Sequence, residues 1–337
     1  MEAPVCSVCI ANYNGIGVLE ACIASLRAQT CRFAFEIIVH DDASTDGSVA
    51  YLRSEHPDIV LLANQHNAGF CISNNRMVDL ARGSFVLLLN NDAELFPDAL
   101  QTLHDAAQSL GRPAILSLPQ YDAQTGRLID IGCRFDPFLN PVPNLAPDGR
   151  AVGAVSGACF WLQRSLWHEL GGFPDWFGSL AEDTYLCCAA RLTGHLVAAL
   201  PHSGFRHWVG TSLGGGKVVD NRLRSTLTRR SATERNKTDV MVLTYPAPFL
   251  QILLPLHLLL LLAEGLALSL WKRNRRIFSS IYLAALRSLW ARRADLRRRR
   301  AALQAARRVG RRAYFSVFQW LPHKLSLLFS HGMPELR

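Results

Sequence analysis

The sequence predicts an α/β domain built on a parallel sheet, followed by a helical region that associates with a membrane. Two observations predict this. Between residue 5 and about 120, short apolar runs alternate with longer segments of helical spacing, an order that requires crossover connections and covers both faces of the sheet. From residue 241 the character changes to one long apolar run and then a dense run of arginine.

The strands are expected at VCSVCIA (5–11), FEIIVH (35–40), IVLLA (59–63) and SFVLLLN (84–90). Most are followed by a polar or glycine-containing turn and then a helical segment. Ligands of such open sheets gather at the carboxyl ends of the strands. Residues 112–205 are more mixed, and FDPFLNPVPNLAPDGR (135–150) reads as a surface loop, either beside a substrate site or as a plain connector. A strand over 151–162, a helix over 181–193 closed by Gly194, and a strand over 195–200 are expected after it.

The run FLQILLPLHLLLLLAEGLALSLW (249–271) has 23 residues, enough to span a bilayer. Residues 272–312 then hold 15 Lys and Arg against one acid, Asp295, in a chain of net charge +9, so the remainder is net acidic. A single span would put this basic segment outside, against the positive-inside tendency. A hairpin, or helices lying in the interface, removes the conflict. Over 277–320, Ile277, Ile281, Leu286, Leu289 and Trp290 alternate with arginines, as in an interfacial helix facing an anionic membrane surface. The alternative is a core helix followed by a solvated basic one. Nucleic acid is not an expected partner beside so apolar a neighbour.

Nine cysteines in apolar context suggest reduced, buried thiols in a cytosolic compartment. Cys6 and Cys9 lie on a strand, where i and i+3 point to opposite faces, which argues against zinc. The start MEAPVCSVCIANYNG has no basic region ahead of an apolar one, so no secretory signal is expected.

Polar clusters fall at strand ends. Asn12, Tyr13 and Asn14-Gly15 can stack on and hydrogen-bond a base, or simply form a turn. In HDDASTDGS (40–48), capping explains the hydroxyls and Asp46 but not Asp41, which can accept from a base N–H. Asn67-Ala68-Gly69-Phe70, followed by Asn74-Asn75, permits close backbone approach and offers amides to ribose or phosphate, or it is a turn with a cap. Asn90-Asn91-Asp92 ends an apolar strand in two amides and a carboxylate, a setting for a hard divalent ion holding a diphosphate. Glu94 and Asp98 read as the acidic start of the next helix. In Ser179-Leu180-Ala181-Glu182-Asp183, Glu182 fits a capping box, whereas Asp183 has no such assignment and is a candidate general base. His207, in His207-Trp208-Val209-Gly210-Thr211-Ser212, is structural or a metal ligand beside Asp92.

The segments VCSVCIANYNG, DDASTDGS, NAGF with Asn74-Asn75, LLLNNDAEL, VSGACFWLQR, LGGFPDWF, EDTYLC and HWVGTS, in that order over residues 4 to 240, resemble glycosyltransferase family 2, and more narrowly its bacterial rhamnosyltransferase-like branch. The resemblance implies a GT-A fold with a mixed, Rossmann-like sheet over 1–240, while the apolar and basic runs predict the membrane-associated helical region over 241–337. It further implies a nucleotide-diphospho-sugar donor, Mg2+ or Mn2+, inversion at the anomeric carbon and a lipid-linked or surface-glycan acceptor at the cytoplasmic face of the plasma membrane. By position, Asn12, Tyr13 and Asp41 would hold the nucleotide. Asn67, Gly69 and Asn75 would support ribose and diphosphate, and Asn90, Asn91 and Asp92 the sugar nucleotide. Asp92 and His207 would face the metal and Asp183 would be the base, with Gly157, Arg164 and Glu182 on the acceptor side. Glu234-Arg235-Asn236-Lys237 resembles the Arg-Asn step that follows the catalytic domain. Two departures stand out: Asn90 replaces the first acid of the DxD-type motif, and Tyr185 stands where the branch commonly carries a third acid. A processive polysaccharide synthase is the alternative enzyme, but no Gln-x-x-Arg-Trp motif or set of several spans is present. A nucleotide-sugar-binding membrane protein with a degenerate site is the non-enzymatic alternative.

Overall fold

The computed structural model describes residues 3–146, 152–208, 215–219, 222–331 and 335–336. The chain forms two compact units, one of residues 1–133, 143–190 and 195–208, the other of 134–142, 191–194 and 209–337.

In the first unit the strands are β1 (Cys6–Asn12), β2 (Phe35–Asp41), β3 (Val60–Ala63), β4 (Phe85–Asn90), β5 (Ala93–Leu95), β6 (Ala114–Ser117), β7 (Gln120–Asp122), β8 (Leu128–Asp130), β9 (Cys159–Gln163), β10 (Leu196–Ala199) and β11 (Phe205–His207). Seven make one sheet in the order β10-β6-β9-β4-β1-β2-β3, and β5-β11-β7-β8 make a second. The helices are α1 (Ile16–Arg27), α2 (Ser48–Glu55), α3 (Phe70–Leu80), α4 (Ala99–Leu110), α5 (Arg164–Leu170) and α6 (Glu182–Leu192). Cys6 to Ile10 of β1 and Phe85 to Leu89 of β4 are buried without alternation, because the sheet is covered on both faces. Cys6 and Cys9 are both free and fully buried, and burial pushes both thiols up, which fits packing rather than metal binding.

The large sheet is mixed, as the resemblance implied. β1 runs parallel to β2 and β4, while β9 runs antiparallel to both β4 and β6. Register aligns Asn12 with Asp41 and Ala11 with Asn90, so the polar ends of three strands share one edge. The strand expected over 151–162 is shorter, β9 beginning at Cys159, and residue 151 lies outside the described residues.

The second unit contains α7 (Leu227–Thr244), which runs across residue 240, α8 (Phe249–Trp271), α9 (Ala284–Ala291) and α10 (Arg293–Ala305). Along α8, Leu253, His257, Leu261, Gly265 and Leu268 form a buried stripe at helical spacing. Ile252, Leu259 and Leu270 are exposed on the other side. Two polar groups of α8 have partners within the unit: His257 Nε2 lies 2.9 Å from Thr238 Oγ1, and Glu264 pairs with Arg230 and with Lys324 at 2.8 Å. A buried histidine on one face and exposed leucines on the other depart from the usual soluble arrangement. By length and composition α8 is the one helix among the described residues suited to cross a membrane, with mean hydropathy 2.0.

Ile277 and Ile281, expected to face outward, instead pack with Tyr282 under α8. Gly265 permits that contact, since a Cβ there would lie 2.6 Å from the Tyr282 ring. Trp290 is exposed. Glu234-Arg235-Asn236-Lys237 lies inside α7, where the buried Glu234 carboxylate meets Lys237 at 2.7 Å and Lys324 at 2.6 Å.

Candidate active site

A single amide ties the strand ends together. Asn12 Nδ2 donates to Asp41 Oδ2 at 2.8 Å, and Asn12 Oδ1 accepts from Asn91 Nδ2 at 2.7 Å. Gly15 is required beside them, because a Cβ there would sit 2.0 Å from Asn91 Nδ2 and 2.4 Å from Asn12 Oδ1. Asp41 is fully buried and its other oxygen accepts from the Ser44 N–H at 2.9 Å, so both oxygens are engaged within the protein. Tyr13, 55% exposed, presents its ring at the same edge.

Asp42, to which the sequence assigned no role, shapes the next loop. It accepts from Asn64 Nδ2 at 2.9 Å and from the Ala68 and Gly69 N–H groups at 2.7 Å each. Gly69 adopts φ +94°, a conformation that disfavours a side chain, and Asn67 is exposed on this loop. Asn75 is placed differently from expectation. Its Nδ2 donates to Phe173 O at 2.9 Å and Asp175 Oδ1 at 2.7 Å, and its Oδ1 accepts from Phe173 N at 3.0 Å. It pins the segment after α5, with both N–H groups spent there rather than on ribose or diphosphate.

The small sheet brings His207 to Asp92 across the sequence. β11 lies between β5 and β7, with His207 opposite Ala93 and Asp122. His207 Nε2 is 3.1 Å from Asp92 Oδ1 and 3.4 Å from Asn90 Nδ2, and its Nδ1 is 2.9 Å from Gln120 Nε2. Asp92 is only 4% exposed. Glu94, expected to open a helix, instead lies in β5 and accepts from Trp208 Nε1 at 3.3 Å, and α4 begins at Ala99. Val209, Gly210, Thr211 and Ser212 lie outside the described residues.

Among the described residues no group of three or more His, Cys, Asp or Glu gathers as a metal cage. One buried carboxylate and one imidazole suit a divalent ion whose other positions are filled by diphosphate oxygens and water, the usual manner of Mg2+ binding. The donor set therefore fits a metal that arrives with its substrate. It does not fit a closed structural site.

Asp183 stands in the first turn of α6, after Leu180 at φ +76° and Ala181 at φ +65°. Two non-glycine residues in the left-handed region cost roughly 1–3 kcal/mol each, strain of a kind concentrated at functional sites. This geometry also removes the expected capping box, because the helix starts at Glu182 itself and Ser179 does not directly precede it. Glu182 is buried. Asp183 Oδ2 accepts from the Gly157 N–H at 3.0 Å, and Oδ1 accepts from Thr184 N at 2.5 Å and Thr184 Oγ1 at 3.2 Å. Burial pushes the Asp183 carboxyl above the ordinary carboxylate range, and these hydrogen bonds only partly offset it.

Asp130 was not singled out from sequence. It ends β8 opposite Gln120, and its Oδ1 accepts from Gly132 N at 3.0 Å. Burial pushes its carboxyl up to about 6; the charge of His207 pulls it down and that of Asp183 raises it, so the three share one electrostatic environment. The available signal was two short polar-ended runs, QYD and LID, around Thr125-Gly126, a hairpin pattern. Arg164, expected on the acceptor side, is corrected by the register of β9. Gln163 pairs with Phe85 at the amino end of β4, and Arg164 Nε donates to Gly83 O at 3.0 Å, at the opposite end of the strand from Asn90. Gly157 does lie against Asp183.

The mixed sheet and the chemistry gathered at its edge define the GT-A glycosyltransferase fold. GalNAc-T7, solved with UDP, GalNAc and Mn2+, superposes with a TM-score of 0.57 at 17% identity, covering 74% of this chain and 49% of that one. Residues 7–171 match glycosyl transferase family 2. The chain is 26% identical over 226 residues to the N-acetylglucosaminyl-diphospho-decaprenol L-rhamnosyltransferase of Mycobacterium tuberculosis, which covers 58% of this chain and 73% of that protein. It is 38% identical over 100 residues to the uncharacterized glycosyltransferase YibD of Escherichia coli, covering 29% of this chain. The stretch shared with YibD spans only 28% of that relative's length.

Proposed function

We propose that this protein transfers a sugar, with inversion, from a nucleotide-diphosphate donor to a hydroxyl of a lipid-linked or surface-glycan acceptor. The observation that carries the reading is the Asp92–His207 pair at the polar edge of the sheets, together with an Asp183 carboxylate held against the Gly157 N–H in the first turn of α6. The donor base stacks on Tyr13 at the edge braced by Asn12 and Asp41. Asn67 and Gly69 lie along ribose and diphosphate, and Asn90 and Asn91 along the sugar. Asp183 takes the proton of the acceptor hydroxyl as its oxygen bonds to the anomeric carbon, while the carbon–oxygen bond to the diphosphate breaks and its electron pair leaves with the diphosphate. A divalent ion, Mg2+ or Mn2+, held by Asp92 and His207 would supply positive charge to that leaving group.

The relatives support this reading: one is named for a decaprenol-linked acceptor, and GalNAc-T7 was solved with UDP and Mn2+. The outward leucines of α8 and the arginines that follow support residence at the cytoplasmic face of the plasma membrane. The test is a thermal-shift screen of UDP-, GDP- and dTDP-sugars with and without Mn2+. One nucleotide class should stabilise the protein, and more so with metal; no shift with any of them contradicts the reading.

A further inference from the structure

We infer that an arginine-lined concavity beside α10 is a headgroup site for the phosphate of an anionic membrane lipid. This rests on the membrane reading above and goes beyond it, because it replaces diffuse attraction with a defined site. The concavity, about 540 Å³ and open to solvent, is lined by Ala247, Arg297, Arg300, Gln304, Arg307 and Arg311. Positions 297, 300 and 304 fall on one face of α10, and Arg307 and Arg311 continue that wall beyond its end.

Three features separate it from an ordinary basic surface. First, no acid lines it; Asp295 is spent on Arg298 at 2.6 Å and Arg299 at 2.9 Å. Second, part of its wall is held in place from below. Arg300 Nη1 donates to Val242 O at 2.6 Å, and Gln304 Nε2 donates to Leu243 O and Thr244 O at 3.2 Å each, capping the end of α7. Burial, and then the charge of Arg307, holds the Arg300 guanidinium below its ordinary range, with Tyr314 acting in the opposite direction. An anion would relieve that crowding. Third, the site adjoins the start of α8. Ala247 is two residues before Phe249, whose ring lies 4.5 Å from Phe315 and 6.2 Å from Trp320. Trp320 and Leu321 are 56% and 71% exposed. Guanidinium forks, exposed aromatic rings and an outward apolar helix face come together here, as they do at the polar–apolar boundary of a bilayer. The guanidinium fork matches phosphate oxygens in pairs. The exposed apolar groups alongside commit the site to a lipid rather than a soluble phosphate.

The experiment is flotation of the full chain with vesicles of phosphatidylcholine alone, and of phosphatidylcholine with phosphatidylglycerol. The pocket variant Arg307→Gln/Arg311→Gln is compared with the equal-charge control Arg275→Gln/Arg276→Gln; all four side chains are exposed, and unfolding curves check that the fold is intact. At about 1 kcal/mol per surface arginine, the control should lose roughly 30-fold of its affinity for anionic vesicles. The pocket variant should lose roughly tenfold more, through its charge-assisted hydrogen bonds to phosphate. Equal losses overturn the pocket and leave the membrane reading standing. An unmodified chain that binds neither vesicle overturns the membrane reading itself. Binding of inorganic diphosphate that the pocket variant alone loses, with vesicle losses equal to the control, assigns the site to a soluble ligand and overturns the lipid.

Discussion

Gly15→Ala tests whether the donor edge is braced as described. The added Cβ would sit 2.0 Å from Asn91 Nδ2 and 2.4 Å from Asn12 Oδ1, so both side-chain ends must move back from where they now meet. That displacement strains the 2.7 Å bond between them and the buried amide that makes it. Overpacking of this kind costs about 1–3 kcal/mol, and Asn12 is 1% exposed, so water cannot readily replace the lost partner. Gly17→Ala is the internal control: it lies two residues on, in the first turn of α1, with nothing within 4 Å of its Cβ, and should be neutral or stabilising by up to about 1 kcal/mol. Urea unfolding measures the stability of each variant, and nucleotide titration measures the edge. Gly15→Ala should lower both stability and nucleotide affinity, whereas Gly17→Ala should lower neither. A Gly15→Ala protein as stable as the parent, with unchanged nucleotide affinity, would refute the brace.

Three further outcomes are expected. Because burial raises the Asp183 carboxyl, its base form appears only above the ordinary carboxylate range, so transfer should rise with pH through that raised value; a rate already level at the ordinary carboxylate pKa contradicts this. The same shift means the folded state holds the proton more tightly than the unfolded chain, so this group's contribution to stability declines as pH rises between the two values. Asp92→Asn and His207→Ala should each weaken Mn2+ binding in the presence of nucleotide, on the order of 10- to 100-fold by calorimetry; unchanged affinity removes them as ligands. Arg164→Ala, at the far end of β4, should leave turnover within about twofold, since it alters a bond to Gly83 O that is remote from the edge. A large loss of turnover in a stable variant would return Arg164 to the site.

Strands β1, β2 and β4 were legible because a sheet covered on both faces writes itself as apolar runs, and their polar ends marked the site edge; β3, a partly exposed edge strand, was legible from its apolar run alone. The small sheet was not legible. Its strands β5, β7, β8 and β11 have three residues each, too short to show a period of two, so Gln120 and Asp130 went unnoticed. The family order supplied His207, but only pairing across β11 shows that it meets Asp92. Asn75 and Arg164 mark the opposite failure. Both belong to motif-bearing segments, yet tertiary structure spends them on backbone carbonyls. Ile277 and Ile281 looked like a membrane face, and no periodicity could reveal that Gly265 opens a space for their helix.

The most direct measurement of the central claim is Asp183→Asn, assayed for transfer from the donor that stabilises the parent protein and, separately, for binding of that donor. The substitution keeps the volume of the side chain and removes its ability to accept the acceptor's proton. Turnover should fall by roughly 10²- to 10⁴-fold while donor affinity stays near that of the parent. Turnover that survives in a folded, donor-binding variant would contradict Asp183 as the base, and with it the proposed mechanism.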